Sequence, residues 1–295
     1  MMFQGTITAL ITPFKNNKID FSHLKKLVEY QIAAGIDGIV VGGSTGEGSS
    51  LLESEYYELI STAINYANGK IPIIAGVTGV HTVHVCRQIQ LLTTMNISGI
   101  MCTAPHYIRP EQEGLYQHFK AIHDASSVPI MIYTHPGRTG CDMSDDVIIK
   151  LSKLPQIIAV KDASNDIEKP LRILPHVSKN FHFLTGDDSN TLAYLANGGV
   201  GCISVISNIV PKIAKRITTC CHSLSWDQAR SLQISLMPIL LAMRSESNPI
   251  GIKYAASLMG FCNNELRLPL TPACIDIMQK ISPMIENLNK LENNV

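Results

Sequence analysis

Lys161 ends the apolar run Ile157-Ile158-Ala159-Val160 and is followed by Asp162-Ala163-Ser164. A lysine drawn into a protein interior loses hydration, which disfavours its charged form and lowers its pKa. The neutral amine can then attack a carbonyl and form an imine, the chemistry of Schiff-base lysines. The alternative is a lysine that marks where a strand reaches water. Three other features supply what imine chemistry needs. The segment Gly42-Gly43-Ser44-Thr45-Gly46-Glu47-Gly48 lets backbone N–H groups approach an anion, with the hydroxyls of Ser44 and Thr45 beside them. No Gly-Lys-Ser/Thr follows, so it is not a Walker loop, and a plain tight turn is its alternative. Tyr133 closes another apolar segment and is an acid/base candidate, or an ordinary rim tyrosine. Arg138 stands in Thr134-His135-Pro136-Gly137-Arg138-Thr139-Gly140, where a guanidinium suits bidentate binding of a carboxylate, or is merely solvated. A 2-oxo acid brings both a carbonyl for Lys161 and a carboxylate for the glycine-rich loop.

These residues are far apart in the chain, so the elements must gather them. Strand-like segments fall at Thr6–Ile11, Gly38–Val41, Pro72–Gly76, Gly99–Thr103, Pro129–Tyr133, Ile157–Lys161, Phe181–Thr185 and Gly201–Ser204. Helical patterns follow at Phe21–Ala34, Glu53–Ala67, Thr82–Met95, Gln112–Ala125, Asp145–Lys153, Ile167–Leu174, Asn190–Asn197 and Lys212–Ser223. Eight strand–helix units with continuously apolar strands indicate a closed parallel (β/α)8 TIM barrel. An open doubly wound sheet is the alternative. In a barrel of this kind the active site lies at the C-terminal strand ends, where Ser44, Thr45, Tyr133, Arg138 and Lys161 all fall. The barrel is placed at residues 1–224. Residues 225–295 read as a C-terminal helical extension, with helices near Asp227–Met243, Ile250–Leu258 and Thr271–Leu288, and with Pro249 and Pro272 at first-turn positions.

The chain has 295 residues with 24 basic and 24 acidic side chains, which argues against nucleic acid or an anionic membrane surface as partner. No stretch of 18 apolar residues suggests a membrane span, and the start lacks a signal-peptide pattern. Eight cysteines without a disulfide framework fit a cytoplasmic protein with reduced thiols. His81, His84 and Cys86 lie close together, but no outside ligand is evident and no metal site is expected.

The motifs Gly43-Ser44-Thr45-Gly46-Glu47, Pro105-His106-Tyr107-Ile108-Arg109-Pro110, Gln112-Glu113-Gly114-Leu115-Tyr116-Gln117-His118-Phe119, Tyr133 to Gly140, Val160-Lys161-Asp162-Ala163-Ser164 and Gly186-Asp187-Asp188 make the chain resemble the dihydrodipicolinate synthase family over nearly its whole length. The resemblance implies a class I aldolase-type lyase of diaminopimelate and lysine biosynthesis. Pyruvate would form an imine with Lys161, and the derived enamine would attack the aldehyde of L-aspartate 4-semialdehyde. Thr45 would hold the pyruvate carboxylate, and Tyr133 would relay protons through Ser44 to Tyr107 of an adjoining subunit. Arg138 would bind the semialdehyde carboxylate, while Gly186 and the backbone of Ile203 would line the pyruvate pocket. The resemblance also implies a homotetramer, a dimer of tight dimers, and neither a metal nor an organic cofactor.

Two positions depart from the family pattern. The relay hydroxyl is usually a threonine and here is Ser44, which keeps the hydroxyl but loses the methyl that restrains its rotamer. Lysine-inhibited members tend to carry glutamate, asparagine and tyrosine where this chain has His84, Val80 and His106, so lysine inhibition is expected to be weak or absent. Two other functions remain open on the same residues: a pyruvate lyase of the superfamily such as N-acetylneuraminate lyase, and a non-catalytic 2-oxo-acid-binding protein.

Overall fold

A computed structural model describes residues 3–295. Eight parallel strands close into a barrel: β1 (Gly5–Ala9), β2 (Gly38–Val41), β3 (Ile73–Val77), β4 (Gly99–Thr103), β5 (Ile130–Thr134), β6 (Ile157–Asp162), β7 (His182–Thr185) and β8 (Gly201–Ser204). Each strand pairs with its neighbours in sequence, and β1 pairs with both β2 and β8, through Ile7 opposite Gly38 and Thr6 opposite Cys202. Closure excludes the open doubly wound alternative.

Strand alternation sorts the apolar side chains into two cores. In β2, Ile39 and Val41 face the surrounding helices while Val40 faces the barrel interior. The interior is filled by Ile7, Val40, Ile74, Met101, Met131, Leu184 and Ile203 among others, so the barrel is packed below its mouth. Helices α1 (Phe21–Ala33), α2 (Glu53–Ala67), α3 (Thr82–Leu92), α4 (Gln112–Ala125), α5 (Asp145–Leu151), α6 (Lys169–Ile173), α7 (Thr191–Ala196) and α8 (Pro211–His222) jacket it. In α2 the buried Tyr56, Leu59, Ile60, Ala63 and Ala67 recur at helical spacing, and each fully buried side chain of the Leu/Ile type contributes about 1.5–3 kcal/mol. The helix stops at Asn68, which adopts the left-handed conformation at φ 46°.

The extension consists of α9 (Trp226–Met243), α10 (Ile250–Leu258) and α11 (Ile275–Asn294). Two local expectations need correction, and one element is new. Pro272 does not open the last helix: Cys274 precedes its first turn, and the stripe Ile277, Ile281, Ile285 and Leu288 carries it to Asn294. Pro249 sits one residue before α10 instead of inside it. A small hairpin pairing Phe14–Lys15 with Lys18–Ile19 was absent from the strand pattern; its turn residues Asn16 and Asn17 both take positive φ, as such tight turns demand. No helix among the described residues is long and apolar enough to cross a membrane.

Candidate active site

The register of β5, β6 and β7 puts Tyr133, Lys161 and Leu184 side by side near the C-terminal mouth. Ala159 and Ala163 belong to the interior core and Val160 to the outer one, so Lys161 also points inward. Its side chain is 5% exposed, and Nζ lies 3.9 Å from the centroid of the Tyr133 ring. Burial is the main reason that its pKa falls from 10.5 to about 8, and the positive charge of Arg138 adds to the fall. Cys202 and Asp188 oppose it. The neutral amine thus comes within reach of ordinary pH. Burial pushes the Tyr133 phenol up to about 12, with Arg138 opposing, so this group keeps its proton at neutral pH. It can move a proton only by handing one on as it accepts another.

Above Lys161 a cavity of about 460 Å³ is lined by Ser44, Thr45, Tyr133, Arg138, Lys161 and Gly186 together with Asn248 and others. Six of the eight residues expected from the sequence therefore share one space. Gly186 is needed there for room: a Cβ at this position would lie 2.9 Å from Cε of Lys161. The side chains of the other two, Ile203 and Tyr107, lie outside the cavity. The Ile203 side chain is fully buried in the interior core below the mouth, and the role expected of this residue belongs to its backbone. Tyr107 is 89% exposed, at φ 70°, and also lies outside the cavity.

The structure adds residues that the strand-end rule missed. His135 lines the cavity, its Nδ1 is buried without a partner, and burial lowers its pKa to about 4, leaving a neutral imidazole. The Asp188 carboxylate accepts hydrogen bonds from the N–H groups of Val205 and Ile206 at 2.8 and 3.0 Å, tying the end of β7 to the end of β8. Asn248, in the extension, donates from Nδ2 to Oγ1 of Thr45 at 2.9 Å and accepts from Nη2 of Arg138 at 3.2 Å on its carbonyl oxygen. Behind the glycine-rich loop, the side chains of Glu47 and Lys253 form a fully buried ion pair of 2.6 Å. Lys253 interrupts the apolar run Ile250-Gly251-Ile252 just as Lys161 interrupts its own, and that pattern is the trace it leaves in the sequence.

The expected absence of a metal at His81, His84 and Cys86 concerns the start of α3. His81 precedes the helix, and its ring meets that of His84 edge to face at 4.3 Å. No group of three or more His, Cys, Asp or Glu among the described residues is placed to hold a metal ion. All eight cysteines are free thiols.

A closed (β/α)8 barrel with a buried lysine at its mouth is the architecture of the class I aldolase-type lyases. The model of the dihydrodipicolinate synthetase family matches residues 2–288, and the chain belongs to that family. It is 46% identical over 288 residues to a 4-hydroxy-tetrahydrodipicolinate synthase of Rickettsia bellii, covering 98% of each chain. Its fold is similar to that of dihydrodipicolinate synthase from Aquifex aeolicus, with a TM-score of 0.95 at 34% identity over 97% of this chain and 98% of the other. It is also similar to the chloride-inhibited dihydrodipicolinate synthase from Acinetobacter baumannii complexed with pyruvate, with a TM-score of 0.94 at 33% identity over 98% and 99% of the two chains.

Proposed function

We propose that this chain condenses pyruvate with L-aspartate 4-semialdehyde, the reaction of 4-hydroxy-tetrahydrodipicolinate synthases in lysine and diaminopimelate biosynthesis. The observation that carries the reading is Lys161, buried beside the Tyr133 ring and opening onto a cavity that also holds Thr45 and Arg138. The Lys161 amine attacks the keto carbon of pyruvate, water leaves, and an imine forms. Loss of a methyl proton converts the imine to an enamine, whose carbon bonds to the aldehyde carbon of the second substrate. Cyclisation then frees the lysine. Thr45 binds the pyruvate carboxylate, Gly186 leaves room for it, and Arg138 binds the carboxylate of the semialdehyde. Tyr133 and Ser44 pass protons between the reacting atoms and solvent. The lysine itself supplies the electrophilic activation, so the reaction as written calls for neither metal nor organic cofactor.

The same reading places the enzyme in the cytoplasm as a dimer of tight dimers. Tyr107 then completes the relay of a neighbouring subunit. Its exposure supports this role, as do the exposed apolar side chains of Ile108 beside it and of Val83 and Leu91 on α3. A second cavity lined by His84, Arg87, Leu91 and His106 brings α3 against the Tyr107 loop. With His84 and His106 there, lysine inhibition is weak or absent, and half-inhibition by sub-millimolar lysine would refute that part. Residues 225–295 serve the barrel at 1–224 and carry no separate activity.

Parallel assays test the assignment. Pyruvate with aspartate semialdehyde should turn over, and N-acetylneuraminate should not be cleaved. Arg138 favours the synthase over the neuraminate lyase, because a short semialdehyde needs a carboxylate anchor and a long sugar acid needs hydroxyl partners. Cleavage of N-acetylneuraminate without condensation would reverse the choice.

A further inference from the structure

Glu47 sits two residues beyond Thr45 and takes a left-handed backbone conformation at φ 51°, which an L residue adopts at a cost of roughly 1–2 kcal/mol. Something must hold it there. One carboxylate oxygen accepts from Nζ of Lys253 at 2.6 Å, and the other accepts from the backbone N–H of Arg267 at 3.0 Å. Both partners belong to the extension. Arg267 is itself fixed, donating to both oxygens of Glu55 at 2.6 Å and to the carbonyls of Ser50 and Asn17 at 3.0 and 2.8 Å. The ring of Phe14, from the hairpin, lies 4.2 Å from Nζ of Lys253 and 4.6 Å from the Arg267 guanidinium carbon.

The same two segments are tied a second time through Asn248 and Thr45. This bond has a directional consequence. A hydroxyl that accepts from the Asn248 amide is left with its own hydrogen to donate elsewhere, and Thr45 lines the cavity. The glycine-rich loop is thus held from behind by Lys253, and its binding hydroxyl is oriented from the side by Asn248.

We propose that Lys253 and Asn248 are positioning residues, through which the C-terminal extension sets the glycine-rich loop in the geometry that binds the carboxylate of the 2-oxo acid. A buried ion pair is a poor device for stability alone, since well-packed apolar residues of similar volume commonly do as well or better. What it adds here is a fixed separation and direction between α10 and the loop. The inference rests on the proposed reaction and deepens it by assigning a task to the extension.

Steady-state kinetics on two variants of the full chain test it, with borohydride trapping of pyruvate as a second readout. Asn248→Ala removes the bond to Thr45 without burying an unpaired charge. It should raise the pyruvate KM about 3- to 10-fold, the size of one hydrogen bond, and leave the semialdehyde KM unchanged. The double variant Glu47→Gln with Lys253→Met removes both charges of the pair while the glutamine oxygen keeps an acceptor for the Arg267 N–H, so the fold is retained. It should raise the pyruvate KM roughly tenfold or more and slow trapping in proportion, because the loop loses its ionic anchor. If both variants fold and keep the wild-type pyruvate KM, the extension is scaffold only and the inference is overturned. Failure of the wild type itself to trap pyruvate would overturn the proposed reaction, and this inference with it.

Discussion

Of the three buried lysines among the described residues, Lys161, Lys169 and Lys253, two lie over an aromatic ring. Lys161 stands 3.9 Å from the Tyr133 ring centre and Lys253 stands 4.2 Å from that of Phe14. Burial pulls down the pKa of both. Their partners differ. Lys253 meets the Glu47 carboxylate at 2.6 Å, which opposes the effect of burial and favours the ammonium. No carboxylate is within ion-pair distance of Lys161 among the described residues, and its amine opens onto a cavity. Burial alone therefore does not make a nucleophile. In the proposed reaction the nucleophile is the lysine denied a counter-ion and given access to a ligand.

The comparison can be broken most directly at Lys161. Lys161→Ala should lower kcat/KM by roughly a thousandfold or more, since the covalent route is lost; a residual rate within tenfold of wild type would remove the imine from the account. Lys253→Met leaves Glu47 buried without its cation and should cost about 3–5 kcal/mol of stability, read as a fall in the denaturant midpoint.

Lys161→Met should act in the opposite direction. The folded pKa of about 8 lies below the ordinary 10.5, so between these values the unfolded chain binds more protons than the folded one and wild-type stability rises with pH. The cost of burying this amine, about 3 kcal/mol, is in full force below pH 8. Lys161→Met should therefore be more stable than wild type at pH 7, and the gap should close as pH approaches 10.5. Equal effects of the two methionine substitutions at pH 7 would erase the distinction between the lysines.

Ser44→Ala should leave the fold and the pyruvate KM near wild type and reduce kcat roughly a hundredfold, as loss of a proton-transfer group does. Near-normal turnover would remove Ser44 from the relay.

The barrel was legible because its strands are short, apolar and regularly spaced; the strand-end rule then collected Ser44, Thr45, Tyr133, Arg138 and Lys161 without any view of the fold, and the family resemblance added Gly186. The rule falters where a residue's role depends on partners distant in sequence. Asn248 gains its contact with Thr45 across 203 positions, and Lys253 gains Glu47 across 206. Nothing local to Asn248 announces this. Lys253 did leave a trace, a charge inside an apolar run, and that trace was the same one that pointed to Lys161. The sequence pattern reports that a lysine is buried, whereas the partner that decides its chemistry is supplied by tertiary structure. The side chain of Ile203 faces down into the packed interior, so the role expected of this residue falls to its backbone at the strand end, which side-chain type does not report. Tyr107 lies on a surface loop, where a single chain gives it no cavity to enter.

The most direct test is reduction of the protein with borohydride in the presence of labelled pyruvate, followed by peptide mapping across a pH series. One adduct is expected, on the peptide containing Lys161, forming faster as pH rises through about 8. Label on Lys253 or on no lysine, or a trapping rate indifferent to pH between 7 and 9, would contradict the claim that an unpaired, buried amine at the barrel mouth carries the reaction.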